Sequence, residues 1–332
     1  MTADAKQIRT ASHPDCYLCN VPGKPLYQDL PSALFETVGK WTFSQCPNAK
    51  CGLIWINPRP LESDLHIAYE TYFTHADEGE KQSSGLRDFL YSAYRAVNYP
   101  LWAITGIARE KVRRREMFLN DAKPGKLLDV GCGDGTFLNV MRGRGWDVDG
   151  IDFDAAAIQT AKTKFKLSLR HGDLRAAKLS ENTFDAVTMS HVVEHLTDPI
   201  GLLTEIFRIL KPGGQLVMTT PNTASVGHQK FGPCWFGIDP PRHLYLFNQS
   251  NLSEVARRAG FKIAWVGSTS ANADVFIGAS YTLRENNRHR MGHQPTPSVL
   301  RTIKAAYWHQ REHSMLGKQP DCGDELVLIC TK

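Results

Sequence analysis

Apolar and polar positions exchange two periods along most of this chain. Leu127, Leu128 and Val130 form a short apolar run typical of a strand buried on both faces, and Thr136 to Met141 reads as the start of a helix. The exchange repeats as a strand over 146–152, a helix over 155–165, strands over 167–173 and 185–190, a helix over 201–210 and a strand over 215–220. A helix over 251–259, a strand over 261–267, helices within 271–320 and a final strand over 325–330 follow. Strands alternating with helices predict an α/β fold, with helices on both faces of a mostly parallel sheet. Ahead of this region, 41–44 and 53–56 read as short strands, 61–74 as a helix and 75–85 as a polar loop. Helices then run over 86–119 with a break near Pro100. The expected organisation is a small module over 1–60, a helical linker or lid over 61–120, and the α/β domain over 121–332. That domain contains a Gly/Pro-rich substrate loop at 222–247 and a helical insertion at 271–320.

The turn after the first predicted strand carries the chemistry. Asp129-Val-Gly131-Cys-Gly133-Asp-Gly135 places three glycines at alternate positions between strand and helix, which lets the backbone turn tightly and approach a ligand. The dinucleotide fingerprint needs G-x-G-x-x-G with pyrophosphate on the helix N-terminus. Here the spacing is G-x-G-x-G, with an acid two residues before the first glycine. A second acid, Asp152, closes the next strand about 20 residues on, where a doubly wound fold presents a carboxylate to ribose hydroxyls.

That turn resembles motif I of the class I S-adenosylmethionine (SAM) methyltransferases. Gly150-Ile-Asp152, Gly172-Asp173, Phe184-Asp185, Glu194-His195-Leu, Leu210-Lys-Pro-Gly-Gly214 and Thr220-Pro-Asn222 extend the resemblance over about residues 120–270. It implies a Rossmann-like seven-stranded sheet completed by a hairpin of the two outer strands, a helical lid, and SAM as cofactor. Asp129, Gly131, Gly133 and Gly135 would pass under the amino-acid end of SAM, and Asp152 would hold the ribose. Phe153 would lie against the adenine, Asp173 would accept from its amino group, Leu174 would pack beside the ring, and Ser190 would close the pocket at the fourth strand.

Composition narrows the class. The 332 residues are 42% hydrophobic and 22% charged, with a formal net charge of +5, as in an ordinary globular protein large enough for a substantial core. Arg113-Arg114-Arg115 lies in a helical pattern beside Glu110 and Glu116, a solvated face rather than a nucleic-acid patch. With no signal-like N-terminus and no apolar run near the roughly 18 residues that span a bilayer, the expectation is a cytoplasmic protein. Its eight cysteines then mean metal or free thiols. Cys16-x₂-Cys19 and Cys46-x₄-Cys51 fit a closed tetrahedral Cys₄ zinc site of structural role, and Cys132, Cys234, Cys322 and Cys330 read as plain thiols.

More narrowly, the chain is similar to bacterial methyltransferases with an N-terminal zinc-binding module, some of which act on nucleotide-linked sugars or accompany polysaccharide biosynthesis. Pro240-Pro-Arg-His243-Leu-Tyr-Leu-Phe247 fits that subgroup, whereas the four-residue gap of Cys46 and Cys51 departs from its usual two. The implied acceptor is a hydroxyl or carbon of a nucleotide-linked sugar or glycan precursor, with no nucleic-acid partner. The apolar segment 99–108 favours a packed helix over peripheral membrane contact. A hydroxyl acceptor needs a general base, for which His243 stands first and His191 and His195 next. His191-Val-Val-Glu194-His195 has the spelling of an H-x-x-E-H metalloprotease helix in the wrong context. Related Glu-His arrangements bind a divalent ion in some quinone and RNA methyltransferases. The alternatives are therefore O-methylation of a quinone-like phenol or lipid with a divalent metal at Glu194 and His195, and a non-catalytic zinc-ribbon scaffold.

Overall fold

A computed structural model describes residues 8–32, 39–69, 98–286 and 299–332. Near the N-terminus, β1 (Thr10–Ala11) pairs with β5 (Arg59–Pro60), and β2 (Lys24–Pro31), β3 (Lys40–Gln45) and β4 (Ile54–Ile56) form an antiparallel sheet. The expected strands at 41–44 and 53–56 are thus present, while β2 has no clear alternation to announce it. The large sheet takes β6 (Lys126–Val130), β7 (Asp147–Asp152), β8 (Arg170–His171), β9 (Phe184–Ser190), β10 (Leu210–Pro221), β12 (Lys262–Thr269) and β13 (Glu325–Thr331). Its order is β12-β13-β10-β9-β6-β7-β8. β13 runs antiparallel to the rest of the sheet, pairing Val217↔Ile329 on one side and Val266↔Leu328 on the other. The two outer strands pair as expected, with helices of the 271–320 stretch between them in sequence.

The chain reverses direction across the sheet between β6 and β9, the switch point at which open α/β sheets hold ligands beyond their strand C-termini. The third parallel strand is shorter than the predicted 167–173. Leu167 leaves the strand path to pack with Leu138, Trp146 and Ala161 on one face of the sheet, so burial overrides strand periodicity there. The helical break falls at Gly106, at φ +91° between helical residues 98–105 and the helix Ile107–Arg115, rather than near Pro100. Residues 62–69 form a 3₁₀ helix; the rest of the helix expected to 74, the 75–85 loop and the stretch 86–97 lie outside the described residues.

The predicted substrate loop holds a short helix (Val226–Phe231) and then β11 (Tyr245–Leu246), which adds to the N-terminal sheet beside β4. Phe43, Trp55 and Ile56 of that sheet therefore share one continuous core with Leu202, Ile206, Leu244 and Phe247. The insertion consists of two helices, Ala273–Asn286 and Val299–Leu316. Among the described residues, no helix is long and apolar enough to cross a membrane.

Candidate active site

The glycine turn leaves β6 in a left-handed path, with Gly131, Gly133 and Gly135 at φ +76°, +52° and +73°. The three differ in what a side chain would meet. A Cβ on Gly131 would stand 2.4 Å from Val192 Cγ2, and one on Gly135 3.0 Å from Ala161, but one on Gly133 would meet nothing within 4 Å. The loop therefore presents bare backbone to an open cleft at Gly133. Its N–H donates to Asp152 Oδ2 at 2.8 Å, while Asp152 Oδ1 accepts from Asp154 N–H at 2.9 Å, so one carboxylate joins the first two strand ends.

Asp129 sits beneath this loop rather than in the cleft. It is 4% exposed and accepts a 2.6 Å bond from Thr188 Oγ1. Burial pushes its carboxyl up to about 7, aided by the nearby Asp152 and opposed by Thr188 and Arg114. Phe153 is 71% exposed at the cleft mouth, and its carbonyl lies 2.9 Å from His171 Nε2. Asp173 accepts from the N–H groups of Arg175 and Ala176, and Leu174 is buried beside it. Ser190 ends β9 and accepts from Arg114 Nη2 at 2.9 Å. The residues expected around SAM thus lie along neighbouring strand ends β9, β6, β7 and β8.

Next to the cleft is a buried polar network. His191, at φ +55°, turns its ring between two carboxylates: Nδ1 lies 3.1 Å from Glu194 Oε1 and Nε2 2.7 Å from Glu325 Oε1. Burial opposes charge on this ring, yet the two carboxylates outweigh it and raise its pKa to about 9. A ring held between two carboxylates in this way favours the protonated form, which makes His191 a less suitable base than His195 or His243. Glu325 also accepts from Arg114 at 2.9 Å and from Asn272 Nδ2 at 2.7 Å, and Glu194 accepts from Thr220 Oγ1 at 2.9 Å. Asn272 and Glu325 carry no local motif; Arg114, expected on a solvated basic face, instead turns inward to Glu325 and Ser190, because a buried carboxylate needs a charged partner.

His195 and His243 behave differently. His195 Nδ1 donates to the Arg242 carbonyl at 3.0 Å, with the Tyr69 hydroxyl at the same distance, and His243 Nδ1 donates to the Gly237 carbonyl at 2.9 Å. Each ring therefore keeps a lone pair on Nε2. Their centroids are 4.7 Å apart, and burial pushes both pKa values down to about 4. One ligand atom from each of Glu194, His195 and His243 lies within 4.8 Å of the others. Two neutral imidazoles oriented by backbone carbonyls, with one carboxylate, is the donor set a divalent ion takes.

The aromatic residues of the substrate loop are largely core. Trp235 is fully buried and donates its indole N–H to Asp324 at 3.0 Å, while Phe236 stays partly exposed against Phe276. Asp239 is buried in an ion pair with Arg242. Trp235 and Asp239 thus make their polar contacts inside the fold.

In the N-terminal module, the Sγ atoms of Cys16, Cys19, Cys46 and Cys51 all lie within 4.8 Å of one another, with Cys16 and Cys51 at 3.8 Å. Gly52, at φ +59°, turns the chain after the second pair. The donor set suits tetrahedral zinc. The Cys51 carbonyl accepts from both Asn248 Nδ2 (3.0 Å) and Asn251 Nδ2 (2.9 Å), so this cluster is tied to the helix following β11.

The fold is an open α/β sheet whose strand ends form a cleft at its switch point. Residues 105–265 match the family described as a methyltransferase domain. They form a class I SAM-dependent methyltransferase domain. The chain is 28% identical over 186 residues to a protein of Mycolicibacterium smegmatis named as a probable SAM-dependent methyltransferase, covering 56% of this chain and 67% of that protein. It is 34% identical over 103 residues to a ubiquinone biosynthesis O-methyltransferase of Alkalilimnicola ehrlichii, covering 29% of this chain and 42% of the relative, so well under two thirds of that relative is spanned. A solved SAM-dependent methyltransferase from Archaeoglobus fulgidus superposes with a TM-score of 0.45 at 19% identity, over 68% of this chain and 94% of that one.

Proposed function

We propose that the chain transfers the sulfonium methyl of SAM to a hydroxyl of a small molecule bound between the cofactor cleft and the Glu194–His195–His243 cluster. The observation that carries this reading is the cluster itself: two imidazoles with free Nε2 lone pairs and a buried carboxylate, beside the strand ends that hold the cofactor. Glu194, His195 and His243 would hold a divalent ion, which when bound supplies a Lewis acid that lowers the pKa of an acceptor hydroxyl. The protein's own part is alignment and desolvation, since SAM carries its leaving group. The turn at Gly133 admits the cofactor, and Thr220 and His191 hold the Glu194 carboxylate in place. Cys16, Cys19, Cys46 and Cys51 would hold a structural zinc that keeps the sheet carrying β11, and with it His243, in register.

Two hydroxyl classes fit this site: a quinone-like phenol, as the ubiquinone biosynthesis relative suggests, and a sugar hydroxyl of a nucleotide-linked sugar or glycan precursor, as the N-terminal module suggests. The test is methyl transfer from SAM to both classes, read by mass spectrometry, with chelation and re-addition of magnesium or manganese. Turnover lost on chelation, restored by the ion and abolished in His243→Ala supports the reading. Chelation-resistant turnover that His243→Ala abolishes would make His243 the base without metal. Unchanged turnover in His243→Ala would remove the cluster from the chemistry.

A further inference from the structure

The helical insertion turns outward a face that the cleft does not use. Along Val299–Leu316, Leu300, Ile303 and Tyr307 are 61%, 60% and 57% exposed, and their spacing of three and four residues sets them in one stripe. The opposite side of the helix, with Ala305, His309 and Glu312, is buried. Four cations frame this stripe. Lys230 and Arg311 lie over the Trp308 ring at 4.1 and 5.0 Å, and Arg284 and Lys304 lie over the Tyr281 ring at 5.0 and 5.4 Å. None of the four makes an ion pair among the described residues, whereas their neighbours Arg301 and Lys111 are paired with Glu285 and Asp274. The adjoining helical segment, whose Trp102 ring stands 5.9 Å from His309, also exposes Tyr99 and Ile104.

Exposed aliphatic and aromatic side chains ringed by cations that make no ion pair among the described residues match one environment in charge and polarity, the boundary of an anionic bilayer. Apolar groups enter the acyl edge there, while Lys and Arg reach lipid phosphates from stems laid along rings. A polyanion such as nucleic acid would satisfy the cations but leave Leu300 and Ile303 in water. We propose that this face docks the protein reversibly on an anionic lipid surface, with Leu300, Ile303 and Tyr307 inserted and Lys230, Arg284, Lys304 and Arg311 contacting headgroups. The amphipathic helix would lie in the plane of the surface.

The experiment is co-sedimentation of the full chain with phosphatidylcholine vesicles, with and without phosphatidylserine, at about 0.1 M salt. Binding is expected only with phosphatidylserine. Lys304→Gln with Arg311→Gln should reduce partitioning roughly 25-fold, at about fivefold per charge, and Leu300→Ser with Ile303→Ser should abolish it. All of these variants should keep wild-type SAM binding, which separates lost docking from lost folding. Three outcomes would overturn the proposal: no binding to anionic vesicles, equal binding to both vesicle types, or a dimer in sedimentation that Leu300→Ser with Ile303→Ser converts to monomer. Retention on single-stranded RNA without vesicle binding would likewise reassign the patch.

Discussion

Replacing Gly133 with alanine separates the cofactor loop's structural duty from its binding duty. At φ +52° a residue with a Cβ pays the left-handed penalty of about 1–2 kcal/mol. No packing cost adds to it, because the new methyl meets no protein atom within 4 Å. The N–H bond to Asp152 at 2.8 Å is also kept. The midpoint of thermal unfolding should fall by roughly 2–8 °C, at about 2–4 °C per kcal/mol for a domain of this size. The same methyl projects into the space where bare backbone faces the cofactor. Overfilling a fitted contact costs about 1–3 kcal/mol, so SAM affinity should weaken roughly 5- to 150-fold. Gly131→Ala is the control. Its methyl would stand 2.4 Å from Val192 Cγ2, so its loss of stability should exceed that of Gly133→Ala. Calorimetric titration of SAM and of its demethylated product, beside thermal scans of the three proteins, measures both quantities. Unchanged SAM affinity in a folded Gly133→Ala protein would refute the placement of the cofactor over this turn.

Three further outcomes follow from particular contacts. With the proposed zinc bound, Cys51→Ser should release it and raise amide exchange across 244–251, because the Ile56 N–H holds Leu244 and the Cys51 carbonyl holds Asn248 and Asn251; zinc loss with unchanged exchange would break the link. Asp129 is raised by burial to about 7, so ionising it in the folded state costs stability as pH climbs from about 4 to 7. Asp129→Asn should therefore be more stable than wild type by a few kcal/mol at pH 8 and lose that advantage near pH 4, as read by urea unfolding. His313 is raised by its 2.7 Å hydrogen bond to Glu110. Its contribution is fully present below pH 6.5 and is lost as pH rises through the raised value, so His313→Gln should destabilise more at pH 6 than at pH 10. Equal loss at both values would mean that the pair carries no net charge interaction.

The readable part of this protein was what neighbouring residues spell together. The strand, glycine turn and helix at 126–143, the acids ending β7 and the turn after β8, and the cysteine pairs each lie within a few residues of chain. Backbone sterics and local periodicity act at that range, and they suffice to indicate a parallel α/β sheet with a cofactor turn. The histidine cluster was legible only as candidates. His243 meets Glu194 and His195 across about fifty residues, and only the carbonyls of Gly237 and Arg242 decide which ring nitrogen keeps its lone pair. In the linear pattern Glu325 is only the first residue of a strand. The fold seats its carboxylate among His191, Arg114 and Asn272, drawn from three distant segments, and this holds the ring of a candidate base between two carboxylates. The pairing of β11 with β4, which binds the cysteine module to the substrate loop, likewise left no trace in the pattern of either short strand. Local order follows from torsional preference and alternating burial along the chain; charge state and site membership follow from what packing brings together, and no periodicity records that.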